Sequence, residues 1–312
     1  MKKILTGMFF VASVVASILL YIYIGPNLDQ NQLTTLYILL IIAGLSALYC
    51  FIVGEISHNN SQMDKLWSIL PAIYLWIIAV RGGMSPRLIL VASLATLWGI
   101  RLTYNFARKG AYHLKFWEGN EDYRWSILRS KKEFNPYWKW VLFNLFFISI
   151  YQNILVLMIT LPGLAAMNST SSLNWIDILS TLFTLLFLIY ETIADEQQWK
   201  FQSKKWAMIK SGKKLAELDA PYNKGFNTIG LWRYSRHPNY LGEQGIWLSI
   251  YFFSVGAGLF AFNWSIIGAL LLIVLFIGSS TFAEDISLSK YPLYKEYQKA
   301  VFKFFPFKKY KD

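Results

Sequence analysis

The stretch LTTLYILLIIAGLSALYCFIV, residues 33–53, contains no acidic or basic side chain. A helix of about 20 predominantly apolar residues is long enough to cross the hydrocarbon core of a bilayer. Comparable apolar runs recur along the chain, at 4–24, 66–80, 88–106, 138–161, 173–194, 240–260 and 262–283. Because 55% of the residues are hydrophobic and 15% are charged, the sequence predicts an all-α integral membrane protein with about eight transmembrane helices.

The basic residues are unevenly distributed along the chain. Lys and Arg crowd the N-terminus and three later stretches, 108–139, 200–236 and the tail after 290, and are absent from 25–32, 162–174 and 257–263. By the positive-inside rule, both termini and the large loops are expected in the cytoplasm, with Arg81 and Arg87 as a discordant pair. We therefore expect a bacterial inner-membrane protein with an uncleaved first span. This topology accounts for the net charge of +12 without a nucleic-acid partner.

Several site classes are excluded by residue counts and spacing. Cys50 is the single cysteine, so an internal disulfide or a thiolate metal cluster is impossible. The three histidines lack metal-ligand spacing, and no metal site is expected. The sequence also lacks a Gly-x-Gly-x-x-Gly motif, so a bound dinucleotide would have to lie between helices rather than on a Rossmann domain.

Polar residues collect in five places predicted to lie near the cytoplasmic ends of spans. These are Glu55 to Asp64, Trp98 to Arg108, Glu191 to Gln202, Arg233 to Glu243, and Glu284 with Asp285. Ionisable groups at such depths are costly and are candidates for function, although each group alone is compatible with interfacial anchoring. Five groups on one side predict a shared pocket.

The segment LWRYSRHPNYLGEQGIW, residues 231–247, combines a helix start with cations. Proline is favoured at the first helical position, so Pro238 is expected to begin a helix with His237 as its cap. Free amides of the first turn, with Arg233 and Arg236 just upstream, form a pattern that binds phosphates. Gly242 would allow a close approach to the backbone.

A row of polar side chains follows the sixth apolar run. Glu191, Asp195, Gln198 and Gln202 recur at helical spacing and face either water or a polar ligand. Acids and amides of this kind bind ribose hydroxyls and base edges, whereas arginines and a helix start hold phosphates.

Three segments carry a family resemblance: GLWRYSRHPNYLGEQGIW, the preceding ETIADEQQWKFQ, and the later EDISLSKYPLYKEYQKAVFKFFPF. Together they resemble the bacterial DUF1295 group of the steroid 5α-reductase superfamily, over roughly 55–312, which leaves 1–54 as an N-terminal transmembrane pair. The resemblance implies a membrane enzyme that uses NADPH, bound between C-terminal helices at the cytoplasmic side, to reduce a carbon–carbon double bond conjugated to a carbonyl.

Site residues follow from this resemblance position by position. The implied catalytic residues are Asp64, Trp98 and Glu243, with Asp64 protonated to donate to the carbonyl oxygen and Trp98 beside it. The implied cofactor-binding residues, together with those read from the pattern above, are Glu191, Asp195, Gln198, Arg233, Arg236, His237, Asn239, Tyr240, Gly242 and Glu284. The sequence departs from true steroid reductases in two places: Trp98 stands where the family has a Tyr, and the cofactor-binding Arg and His of the last span fall near Ser279 and Ala283.

Two other functions fit parts of the pattern. The Arg-His-Pro-x-Tyr-x-Gly motif, residues 236–242, followed by Glu284 and Asp285, is also similar to the isoprenylcysteine and phospholipid methyltransferases, which bind S-adenosylmethionine. A transporter or non-catalytic membrane protein would use the intramembrane charges differently. For the enzyme interpretations, aromatic residues beside the acids predict a lipid-like substrate that enters from the bilayer.

Overall fold

The computed structural model describes residues 27–311, and this part of the chain is helical. Its α-helices are α1 Gln30–Ser57, α2 Gln62–Trp67, α3 Leu70–Arg81, α4 Pro86–Ala107, α5 Tyr123–Arg129, α6 Trp138–Phe143, α7 Gln152–Met158, α8 Leu161–Ala165, α9 Trp175–Lys210, α10 Pro238–Gly256, α11 Ile267–Lys290 and α12 Tyr294–Ala300. A π-helical stretch, Asn144–Tyr151, joins α6 to α7. Short 3₁₀ turns lie at Lys132–Phe134, Leu215–Glu217, Tyr222–Lys224, Gly230–Arg233 and Trp264–Ile266. Within residues 27–311 no strand forms, and the extended pairing is one parallel bridge between Ser235 and Phe302.

Six helical segments of the described chain are long and apolar enough to cross a membrane, which confirms an all-helical membrane-type architecture. They are Gln30–Ser57, Gln62–Arg81, Pro86–Ala107, Trp138–Met158, Trp175–Lys210 and Trp264–Lys290. The predicted run at 240–260 forms helix α10, which is not among the six. The run at 4–24 lies outside the described residues, so six of the eight predicted spans correspond to helical segments that are long and apolar enough to cross a membrane.

Helix boundaries follow local sequence signals. The Asp29 side chain accepts a hydrogen bond from the Gln32 amide and the Gln32 side chain accepts one from the Asp29 amide, a reciprocal cap that starts α1. Ser85 caps α4, and Pro86 occupies its first position. Pro238 likewise begins α10, as predicted. These caps satisfy amides that have no partner within the helix.

The chain divides into two compact units. Of the described residues, unit 1 comprises 27–181 and 248–272, and unit 2 comprises 182–247 and 273–311. Helices α9, α10 and α11 each contribute residues to both units. The division at residue 54 that the sequence suggested remains a prediction.

The two arginines that break the predicted charge alternation have polar partners within unit 1. Arg81 donates from Nε to the Thr35 hydroxyl at 2.6 Å. Arg87 and Asp177 form a bidentate ion pair with N–O distances of 2.8 and 2.9 Å, and both side chains are almost completely buried. Arg87 also donates to the Gly256 carbonyl. A packing role therefore explains why these cations occur at positions where the positive-inside rule disfavours them.

Unit 2 has an aromatic core formed by the C-terminal segment. Phe226 packs edge-on against Tyr294 with ring centroids 4.9 Å apart, and Tyr297 packs edge-on against Tyr310 at 5.3 Å. The buried Tyr297 hydroxyl donates to the Trp232 carbonyl. These contacts hold the segment after α11 against residues 226–235, directly before α10.

Candidate functional site

Two glycines of α10 let this helix pack closely against α9 within unit 2. A Cβ added at Gly242 would lie 2.6 Å from the Glu191 Cβ, and one added at Gly245 would lie 2.5 Å from the Phe187 ring. Residue numbers rise along α10 as they fall along α9, so the two helices run antiparallel. Gly242 was predicted to allow close approach to its backbone, and the group that approaches is the Glu191 side chain.

The same antiparallel packing places Asn239 of α10 beside the turn of α9 that carries Asp195. Asn239 precedes Gly242 by about one helical turn, and Asp195 follows Glu191 by about one turn. The side-chain oxygen of Asn239 is buried, and within residues 27–311 no donor reaches it. Gln198 lies a further turn along α9. Its side-chain oxygen is also buried and accepts no hydrogen bond from residues 27–311. We call Glu191, Asp195, Gln198 and Asn239 the polar stripe.

Buried acceptors of this kind can be satisfied by an ordered water or by a ligand that donates hydrogen bonds. Leaving a buried polar group without a hydrogen bond costs about 1–3 kcal/mol, so native proteins keep few of them. Ribose hydroxyls and an adenine amino group are donors of the required kind. The polar stripe can therefore hold the nucleoside part of a cofactor.

Glu243, predicted to be catalytic, lies next to the polar stripe on α10. It is buried, and its Oε1 accepts a hydrogen bond of 3.0 Å from the indole N–H of Trp247, one turn later. Tyr240 stacks on the His237 ring at 5.3 Å and contacts the Phe276 ring at 4.5 Å. Packing thus fixes the orientation of the first two turns of α10.

Glu284 of α11 is the centre of a buried charged cluster in unit 2. Its carboxylate accepts from Arg236 Nε at 2.7 Å, from His237 Nε2 at 2.9 Å and from Gln298 Nε2 at 2.7 Å. Arg236 also donates from Nη1 to the carbonyls of Gln298 and Val301. We call Arg236, His237, Glu284 and Gln298 the Glu284 cluster.

The two arginines predicted to bind phosphate have partners within unit 2. Arg233 donates from Nε to the Tyr310 carbonyl at 3.0 Å, and Arg236 is paired with Glu284. Both guanidinium groups therefore contact the C-terminal segment, and phosphate binding by them stays a prediction. Because Glu284 is 48 residues from Arg236 and Tyr310 is 77 residues from Arg233, local spacing could not reveal these pairings.

Burial sets the charge state of His237. Desolvation lowers the pKa of His237 below its usual value, although the hydrogen bond to Glu284 opposes this shift. The imidazole is therefore neutral at pH 7, and its Nε2–H donates to the Glu284 carboxylate, which carries the negative charge that Arg236 balances.

The lowered pKa of His237 predicts a pH-dependent stability. Because the unfolded chain binds the proton at higher pH than the folded chain does, this histidine destabilises the protein as pH falls below about 6.5 and has no such effect above it. The two pH values to compare are about 7.5 and 5.5, which lie about one unit above and below 6.5. We expect the melting temperature of the native chain to fall more between them than that of His237→Gln. The glutamine amide keeps a donor near Glu284 but does not titrate. Thermal unfolding scans at the two pH values measure this fall, and an equal fall in melting temperature in both proteins would contradict the prediction.

Asp64 lies in unit 1 in the first turn of α2, which begins after Ser61. Its Oδ2 accepts a hydrogen bond of 2.9 Å from the indole N–H of Trp125. Trp98 is fully buried on α4, and its predicted place beside Asp64 stays a prediction. Trp125 is 61 residues from Asp64 in sequence, and no periodic pattern linked the two.

Helix α5, which carries Trp125, is held in place by ion pairs at its two ends. Burial alone would raise the pKa of Asp122, but the ion pair and hydrogen bonds from Arg124 lower it below its usual value. Glu121 pairs with Arg129 at 2.5 Å and accepts from the Asn60 amide at 2.8 Å. Although acids gather here, no group of three potential metal ligands forms within residues 27–311.

An apolar cleft of about 810 Å³ lies between α3 and α4 in unit 1. Ile73, Trp76 and Ile100 are among its lining residues, and Ser68 and Thr103 provide hydroxyls at one end. Their side chains are hydrogen-bonded to each other at 2.9 Å. Small-molecule pockets are commonly about 300–1,000 Å³ and mostly apolar, so this cleft is large enough for a lipid-like molecule.

Comparison with known proteins places most of the chain in one family. Residues 50–301 match DUF1295, a family described as proteins of unknown function. An uncharacterised protein of Schizosaccharomyces pombe is 38% identical over 276 residues, which cover 83% of this chain and 78% of the yeast protein. No solved structure matches the chain.

Proposed function

The chain belongs to the DUF1295 family, and from that premise we propose that it is a membrane-embedded, NADPH-dependent reductase. Its substrate is a lipid-like molecule with a carbon–carbon double bond conjugated to a carbonyl. The observation that carries the proposal is the polar stripe, where the buried oxygens of Asn239 and Gln198 have no donor within residues 27–311. The kinship with steroid 5α-reductases is part of the same proposal.

The polar stripe suits the nucleoside of NADPH. Asp195 can accept from ribose hydroxyls, and the Asn239 and Gln198 oxygens can accept from hydroxyl or amino groups. The Glu284 cluster contributes indirectly, since it fixes the chain just before Pro238. When bound, NADPH supplies the hydride.

Residues of unit 1 suit the other half of the reaction. Hydride addition to the β-carbon of an enone places negative charge on the carbonyl oxygen, which requires a hydrogen-bond donor. Asp64 in its acid form is that donor, and Trp125 fixes its carboxyl group through Oδ2. The apolar cleft between α3 and α4 accommodates the apolar body of the substrate.

One observation favours a second candidate, an S-adenosylmethionine-dependent methyltransferase. Glu284 contacts both Arg236 and His237, although the gap from Gly242 to Glu284 is long in sequence. The Glu284 carboxylate therefore contacts the Arg-His-Pro motif, as the methyltransferase interpretation requires. Since S-adenosylmethionine also carries an adenosine, the polar stripe suits it as well, and ligand binding distinguishes the two candidates.

A substitution at Asn239 tests ligand binding separately from catalysis. We expect Asn239→Leu to raise the free energy of unfolding of the ligand-free protein by about 1 kcal/mol, because an unmatched buried acceptor is replaced by an apolar group of similar shape. The same variant should bind NADPH about tenfold more weakly, because one hydrogen bond to the ligand is lost. Thermal unfolding with and without NADPH, NADH or S-adenosylmethionine measures both effects.

Thr192→Val is the matched control for this experiment. Thr192 is exposed on α9, and its hydroxyl bonds to the Leu188 carbonyl of its own helix, so we expect changes within about 0.5 kcal/mol. If Asn239→Leu destabilised the protein and left stabilisation by every ligand unchanged, Asn239 would have only a structural role.

A further inference from the structure

The C-terminal segment forms a loop, residues 302–310, whose two ends are fixed within unit 2. At its start, the carbonyls of Phe302 and Lys303 accept hydrogen bonds from the backbone amides of Arg236 and His237 at 3.1 and 3.0 Å. At its end, the Tyr310 amide donates to the Arg233 carbonyl at 2.8 Å. We call residues 302–310 the tail loop.

The tip of the tail loop presents aromatic side chains on the surface. Phe305 is 57% exposed and Phe307 is 77% exposed, and their rings stack with centroids 5.7 Å apart. Clusters of exposed aromatic side chains are typical of interaction surfaces, because burying apolar surface away from water is energetically favourable. Pro306, between them, is also exposed.

Exposed basic side chains follow these aromatics in the sequence. Lys308, Lys309 and Lys311 are all exposed, and the Lys308 ammonium lies 5.2 Å from the centre of the Phe302 ring. No acidic side chain occurs between residues 302 and 311. The tail loop and the residue after it thus combine exposed aromatic side chains with exposed lysines.

A contact with a candidate membrane helix locates this surface. The Lys303 ammonium donates to the hydroxyl of Thr281 at 2.8 Å. Thr281 is exposed and belongs to Trp264–Lys290, one of the six segments able to cross a bilayer. The tail loop therefore begins beside a segment that is long and apolar enough to cross a membrane.

We propose that the tail loop binds the anionic phospholipid surface, with Phe305 and Phe307 in the interfacial layer and the lysines at the lipid phosphates. Aromatic rings favour that layer, and lysines near it are attracted to anionic headgroups. Lysine stems also extend along apolar surface while their ammonium groups reach polar groups. This inference is independent of the proposed reductase activity.

A fluorescent probe at the tip of the loop tests the proposal in the full-length protein. Cys50 is the single cysteine and is buried, so Cys50→Ala with Pro306→Cys allows one environment-sensitive dye to be attached. The protein is placed in nanodiscs of phosphatidylcholine alone or of phosphatidylcholine mixed with phosphatidylglycerol. We expect a blue-shifted emission with phosphatidylglycerol that reverts as salt concentration rises.

Charge-neutralising variants identify the lysines responsible. Replacing Lys308, Lys309 and Lys311 by glutamine should abolish the difference between the two lipid compositions. The matched control replaces Lys210, Lys213 and Lys214, three exposed lysines elsewhere in unit 2, and should retain that difference. Identical emission of the labelled chain with its native lysines in both nanodiscs would overturn the proposal. An equal loss of the lipid-dependent difference in the control variant would also overturn it. So would a blue shift that persists at high salt in the variant that lacks Lys308, Lys309 and Lys311.

Discussion

We expect Asp64→Asn to reduce enone-dependent oxidation of NADPH by about 100- to 1,000-fold, the usual effect of removing one donor to an oxyanion. The fold should persist, because the asparagine oxygen can still accept the hydrogen bond from Trp125. NADPH binding, measured by thermal shift, should also be retained, because Asp64 is not part of the polar stripe. The loss should therefore appear in kcat rather than in cofactor affinity.

Asp64→Glu provides the control for this substitution. It keeps a carboxylic acid and should retain a measurable part of the activity, whereas Asn removes the acid while preserving shape. Helix positions near an N-terminus tolerate Asn well. Full activity of Asp64→Asn would therefore assign Asp64 a structural role in the first turn of α2.

The largest expected effect on stability comes from the buried ion pair of unit 1. Arg87→Met should lower the free energy of unfolding by about 3–5 kcal/mol, because it leaves the Asp177 carboxylate buried without its cation. Arg87 and Asp177 are 3% and 1% exposed, so water cannot compensate. Equilibrium unfolding in mixed micelles, followed by tryptophan fluorescence, measures the change.

The double variant Arg87→Met with Asp177→Leu separates charge from packing. Replacing both partners of a buried pair by apolar groups is often close to neutral, so we expect most of the lost stability to return. If the double variant were as unstable as the sum of the two single variants, the carboxylate would not be the cause. The other hydrogen bonds of Arg87, including the one to the Gly256 carbonyl, would then explain the loss.

Much of the fold could be predicted from apolar length alone. The runs at 33–53 and 88–106 lie within helices of the expected type, and the run at 262–283 does so from Trp264 onward, because a bilayer requires continuous apolar sequence. The run at 66–80 was predicted as a short span, and the observed segment begins earlier, at Gln62, because α2 precedes α3. A short polar helix of this kind carries no hydropathy signal.

The candidate site was predictable where its contacts are local. Helical spacing places Glu191, Asp195 and Gln198 on one stripe, and Pro238 fixes the start of α10. The partners of Arg236 and Asp64 were not predictable, since Glu284 and Trp125 are distant in sequence. Such pairings depend on tertiary packing, which single-sequence periodicity does not encode.

The polar stripe as a nucleotide site is the central claim, and calorimetric titration of the purified protein tests it most directly. NADPH, NADH and S-adenosylmethionine are titrated separately into the native chain and into Asn239→Leu. We predict saturable binding of NADPH to the native chain and about tenfold weaker binding to the variant, because one hydrogen bond is lost. Binding of none of the three ligands, or NADPH binding of equal affinity in both proteins, would contradict the claim.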